Sequence, residues 1–301
     1  KVGGTSGMFN VTPGGAPPSS TWNALDFVSM VSLTAMLAKL AGASNAQPLR
    51  LLAVLLSFDI GKRVKKFSSG LIDPLLTGTI LSWMSLAVAA EAGWFELLGR
   101  FVTSRGSLGL WRSWGPGDFL LSCLGPSIVS LSLRVYANRK AVKENAPMVL
   151  VGSFWGAFFG LVSSAVIAGP LLKMPPSAAL SLLPRSVTSA LSALLAGMIG
   201  QGADTRLSVT FAVVTGLIGA NFGGPLLAYT KKRFGVGGAS RGLAQGAAGH
   251  GLGTAAIASS DPEALPFSAV AFALTAAASA LLLTIAPFKD LLTALASSSV
   301  V

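Results

Sequence analysis

The sequence predicts an all-α, polytopic membrane helix bundle containing two interrupted helices. Three observations predict it. Charged residues form only 11% of the 301-residue chain and hydrophobic residues 52%, whereas soluble domains carry about 25% charge. Mean hydropathy is +0.68, and apolar runs of spanning length recur along most of the chain. Two of those runs are weakened in mid-course, at Gly125-Pro126 and around His250.

The same composition excludes several classes of function. The net charge of +11 belongs in loops, where it sets orientation and meets anionic lipid. No basic run is interleaved with exposed aromatics, so nucleic acid is disfavoured as a partner. One cysteine, Cys123, and one histidine, His250, allow no intramolecular disulfide and argue against a zinc site. No metal or cofactor is expected.

In order, residues 1–20 are rich in Gly, Ser and Pro and read as a flexible segment. An isolated N-terminal span lies within 21–44, its apolar run at 24–41. A second apolar run begins at Leu49 and ends in Lys62, Arg63, Lys65 and Lys66, with Asp59 just inside. Residues 71–93 span again, opened by Asp73-Pro74, where proline suits the first turn. Residues 96–116, with Glu96, Arg100, Arg105, Trp111, Arg112 and Trp114, read as an interfacial segment. Residues 117–136 hold the first interruption, since Pro126 removes a backbone hydrogen bond. Spans follow at 147–172, 179–200 and 207–230, then the glycine-rich stretch 239–258, the acidic turn Asp261-Pro262-Glu263, and a last span from about Leu265 to Pro287.

The stretch ASRGLAQGAAGHGLGTAAIA (239–258) places Gly242, Gly246, Gly249, Gly251 and Gly253 within about five turns. Each glycine costs roughly 1 kcal/mol of helix propensity. It reads as a broken helix whose backbone and imidazole face a small polar ligand near the bilayer midplane. GPSIVSLS and GHGLGTAA suggest an internal repeat, and paired interruptions mark the binding site of many secondary transporters. The glycines do not form a dinucleotide motif, because no strand or βαβ unit precedes them. No nucleophile elbow or Ser-His-Asp set supports an enzyme.

The residues LLPRSVTSALS (182–192), VVTGLIGANF (213–222), SRGLAQGAAGHGLGTAAIA (240–258) and DPEALPFSAVAFALT (261–275) resemble the LrgB/CidB membrane family. DPLLTGTIL (73–81) and GDFLLSCLGPSIVSLSL (117–133) fit the family in the same order. The likeness extends over about residues 45–290, so 45–301 reads as an LrgB-like transport domain. It is strongest toward the family's plastid members. It implies an antiporter of the chloroplast inner envelope that exports glycolate and imports glycerate in photorespiration, while bacterial members are holin-like. It also implies an LrgA-like half, here missing, cleaved or on a separate chain. The partners expected are glycolate, glycerate, membrane lipid, the LrgA-like half and further copies of the chain.

Candidate site residues each carry two readings. His250, between Gly249 and Gly251, suits proton coupling or recognition of a small acid; otherwise it is a buried histidine bonded to a carbonyl. Arg185 matches a carboxylate with its planar fork, or snorkels, or pairs with an acid such as Asp204. Asn221 can serve a hydroxyl or join helices, and the glycines at 216, 219, 223 and 224 read as packing residues. Ser127, after Gly125 and Pro126, and Thr254, after Gly253, can present hydroxyls and free amides to an anion, or bond back to the preceding turn. Asp59 is a second proton-coupling candidate. Asp73 and Asp118 read more simply as N-terminal helix residues.

Overall fold

The computed structural model describes residues 28–37, 47–68, 72, 74–89, 115–200, 202–258 and 260–298. Every regular element among them is helical. Helix α1 is Val28–Leu37, α2 is Gln47–Phe67 and α3 is Pro74–Ala89. The last two form a hairpin, and their contact runs through Gly61 against Pro74 and Gly78 against Phe58. Asp73 and the interfacial segment at 96–114 lie outside the described residues.

Helices α4 (Pro116–Ser122) and α5 (Leu124–Ala137) make one rod with a turn at Cys123. The short basic α6 (Arg139–Glu144) leads into α7 (Ala146–Val166), which continues through a π-helical turn, Ile167–Leu171. Helix α8 (Pro176–Leu182) and α9 (Ser189–Ile199) follow. Helix α10 (Thr205–Ile218) runs through a second π turn, Gly219–Gly223, into α11 (Gly224–Phe234). Helices α12 (Gly238–Ala256), α13 (Leu265–Thr284) and α14 (Ala286–Ser297) complete the order. Among the described residues, four rods are long and apolar enough to cross a membrane: Pro116–Ala137, Ala146–Leu171, Thr205–Phe234 and Leu265–Thr284. The polytopic all-α bundle expected from the sequence is the architecture found.

Two differences from the sequence reading matter for function. The interruption at Gly125-Pro126 is slight. Cys123 keeps helical dihedrals (φ −74°, ψ −10°), and the Ser127 amide still donates to the Cys123 carbonyl at 3.0 Å. Pro126 therefore does not open the rod. Conversely, the single span expected over 179–200 is two helices. They are separated at Leu183–Thr188, where Pro184 cannot continue the hydrogen-bond ladder of α8.

Helix α12 is the centre of the bundle, packing against α7, α10, α11 and α13. Its glycines permit this. Gly242 and Gly246 meet α13 main chain and near main-chain atoms at Ala264, Phe267, Ser268 and Phe272, while Ala247 meets Gly156 of α7. A close crossing on small residues is how helices associate where lipid is as apolar as their side chains. The second core lies where α7, α8, α9, α13 and α14 meet, with Leu161, Leu183, Leu195, Leu283 and Leu292 all almost fully enclosed. We expect Gly246→Leu to abolish recovery of folded protein, because a side chain there strikes the Ser268 carbonyl and the Phe272 amide at 2.9 Å, and backbone cannot step aside. Size-exclusion of the detergent extract checks this; a wild-type profile would contradict the crossing.

Candidate functional site

Helix α12 is broken at His250, whose φ of 42° and ψ of −143° lie outside helical space. For a residue with a side chain such a conformation costs about 1–3 kcal/mol and persists only where the surroundings impose it. Here they do. The imidazole is 3% exposed, and its Nε2 lies 2.9 Å from the Ala212 carbonyl of α10. A carbonyl only accepts, so Nε2 carries the proton in this arrangement. Nδ1 accepts a long bond, 3.5 Å, from the Leu252 amide. Gly216, one turn beyond Ala212, lies directly against the ring, where a side chain would fill the space the imidazole needs. The histidine is thus sandwiched between helices, bonded to a carbonyl.

Neighbouring backbone is also irregular. Gly249 packs on the Cα of Gly219 at the start of the π turn. Gln245 closes the gaps: its Nε2 donates to the Gly219 carbonyl at 3.0 Å and to the Gly253 carbonyl at 2.9 Å. Both amide hydrogens are used. Gln245 and Gly216 are the residues that sequence reasoning passed over or assigned to packing alone; a lone amide inside an apolar, glycine-rich helix was the available signal for the first.

The break in α12 faces the break between α8 and α9. Gly251 lies opposite Thr188, with the methyl Cγ2 3.7 Å from the position of a Cβ. Three residues earlier stands Arg185. It is half-buried, and its Nε donates to the Ser164 hydroxyl of α7 at 2.9 Å. Ser164 in turn donates to the Gly160 carbonyl at 2.6 Å. Among the described residues no carboxylate pairs with Arg185. Asp204 instead caps α10, accepting from the Arg206 and Leu207 amides.

The remaining candidates fall into two groups. Near the break, Thr254 donates to the His250 carbonyl at 2.8 Å and shares a 2.8 Å hydrogen bond with Ser268. Gly253 lies against the Gln245 side chain. Asn221, within the π turn, donates to the Leu217 carbonyl at 2.7 Å. Away from the break stand Gly125, with open space around it, Pro126, and Ser127, which is exposed and bonds back to Cys123 at 2.8 Å. Asp59 is on the exposed face of α2, in ion pairs with Lys62 and Arg63 at 3.2 and 3.0 Å. Asp118 is buried and accepts from the Gly115 amide at 2.8 Å, a helix-terminus contact.

The N-terminal end of α12 is anchored by Arg241, 1% exposed. Its guanidinium holds Asp261 through two bonds, 2.8 and 3.0 Å, and Glu263 at 3.1 Å, and also donates to the Val236 carbonyl. A cavity of about 410 Å³ opens beside this end, lined by Asn138, Asn145, Ser240 and Glu263 among others.

Comparison with known proteins places this architecture. Over 255 residues the chain is 31% identical to plastidal glycolate/glycerate translocator 1, chloroplastic, of Arabidopsis thaliana, covering 84% of this chain and 48% of that protein; the chain thus spans about half the length of that relative. It is 31% identical over 171 residues to the holin-like protein CidB of Staphylococcus aureus strain Mu50, covering 56% of this chain and 71% of that one. It is 27% identical over 241 residues to CidB of Staphylococcus epidermidis strain RP62A, covering 79% and 94%. No solved structure matches. The family model of the LrgB-like family matches residues 54–288, and the chain belongs to that family.

Proposed function

We propose that the chain is a secondary carrier of small 2-hydroxy-carboxylates, exchanging glycolate for glycerate across the chloroplast inner envelope during photorespiration. The observation that carries this is the meeting of two breaks: α12 opens at His250 against the turn that holds Arg185, a half-buried arginine without an acid partner among the described residues. A cation in an apolar interior is costly unless an anion meets it. A carboxylate supplies that anion and matches the guanidinium fork. The name of the plastidal relative supports the choice of acid. Alternating access would move the acid past the broken helices, with His250 carrying a proton that offsets its charge. An LrgA-like half, on this or another chain, completes the proposed assembly.

Purified protein in liposomes tests the proposal. Saturable counter-exchange of labelled glycerate for glycolate, with unrelated small anions excluded, is the expected result. The holin-like name of the bacterial relatives favours a second reading, a pore, which would leak unrelated anions at rates similar to glycolate. Arg185→Gln should raise the half-saturating glycolate concentration about ten- to a hundredfold, since a charge-assisted bond is worth roughly 1.5–3 kcal/mol. An unchanged concentration dependence at normal expression would take Arg185 out of the site.

A further inference from the structure

Beside Arg185 lies a hydroxyl with nothing to bond. Ser186 is 6% exposed, and its Oγ is enclosed without a hydrogen-bond partner. Buried polar groups are nearly always paired, and each exception calls for a physical reason. Ser186 and the Arg185 partner Ser164 converge on one point of α7. Ser164, which pins the guanidinium, bonds to the Gly160 carbonyl, and the Ser186 hydroxyl sits 3.0 Å from where a Cβ of Gly160 would be. Seven residues earlier on the same helix face, Ser153 is 1% exposed and its hydroxyl is likewise unpartnered. The α7 face here carries the small residues Ser153, Gly156, Gly160 and Ser164, and two enclosed hydroxyls, Ser153 on that face and Ser186 on the turn against it, are short of a partner.

Resting on the carrier reading above, we infer that Ser186 is the residue that recognises the substrate's 2-hydroxyl, with the adjacent carboxylate on Arg185 and with the absence of a side chain at Gly160 leaving room for the Ser186 hydroxyl. In a 2-hydroxy acid the carboxylate and hydroxyl are on neighbouring carbons. Consecutive residues, one cationic and one with an O–H that both donates and accepts, suit that pair. Ser164 is a positioning residue: it takes the Nε hydrogen and so directs the terminal nitrogens of the fork. A site that pairs a hydroxyl in this way disfavours the analogue lacking it, because the protein's own group is then left unpaired.

Competition by glycolate and acetate, which differ in that hydroxyl, tests the assignment on Ser186→Ala. The expected result is a rise of about tenfold in the glycolate concentration that half-inhibits exchange, with the acetate concentration unmoved. The thermal midpoint without ligand should stay the same or rise, because an unpaired buried hydroxyl is being removed. Gly160→Ala should weaken glycolate as well, since the added methyl displaces the Ser186 hydroxyl. Equal shifts for glycolate and acetate, or none in a variant that exchanges normally, would overturn the assignment. If wild-type vesicles exchange no hydroxy acid, the carrier reading fails by itself. Thermal shift with glycolate then decides the subsite: stabilisation of wild type but not of Ser186→Ala keeps it, and equal behaviour of the two removes it.

Discussion

His250→Ala is expected to reduce glycolate–glycerate exchange at least tenfold while the protein still inserts and folds. The imidazole fills the gap over Gly216 and donates to the Ala212 carbonyl. Truncation empties that gap and removes a buried hydrogen bond, together costing on the order of 1–3 kcal/mol. The core where α7, α8, α9, α13 and α14 meet does not involve the ring, so the thermal midpoint falls but folding survives. His250→Gly separates backbone from side chain. Glycine adopts positive φ freely, so this variant should melt higher than the alanine one and transport no better. Exchange assays across about pH 6 to pH 8, paired with thermal melts, check both points. Wild-type exchange in either variant would remove the imidazole from the mechanism.

A large loss of stability is expected from Arg241→Leu. Removing one partner of a buried ion pair typically costs about 3–5 kcal/mol, because the other charge is left uncompensated. Here the guanidinium also satisfies the Val236 carbonyl, and Asp261 receives two of its bonds. Glu263 is largely exposed, so its share is screened. The hydrogen bonds from Arg241 hold the Asp261 carboxyl below the usual carboxylate range, outweighing its partial burial. The sign follows directly. A depressed folded value contributes stability above about pH 3.9, the value of an unperturbed aspartate. That contribution is lost as pH falls through the depressed value. Acid should therefore lower the wild-type melting midpoint more than that of Arg241→Leu, in which the depressing partner is gone. Parallel acid profiles would show that the pair contributes little.

These two positions also show how far the sequence speaks. The bundle is legible because low charge and repeated apolar runs leave a membrane as the only solvent that fits. The break at His250 is legible because glycines flank a histidine inside one of those runs. Its counterpart is harder to place. Gly125-Pro126 carries the stronger local signal, yet proline deletes one donor only, and the Ser127 amide continues the ladder on an exposed rod. Pro184 reads as the start of a span, whereas α8 already runs from Pro176 to Leu182, so the proline ends a helix. The grouping of Arg185 with Ser164, twenty-one positions apart, and the isolation of the Ser186 hydroxyl are products of packing. No periodicity encodes them. Arg241 belongs with these: its acids lie twenty and twenty-two positions away.

The amide of Gln245 has a consequence for motion. It ties the first carbonyl of the Gly219–Gly223 turn to a carbonyl beyond the His250 break. Two supple points on different rods are fastened by one side chain with no hydrogen to spare. Neither can swing alone: the short tail of α12 and the bend in its neighbour travel in lockstep, or the tether parts and both come loose together.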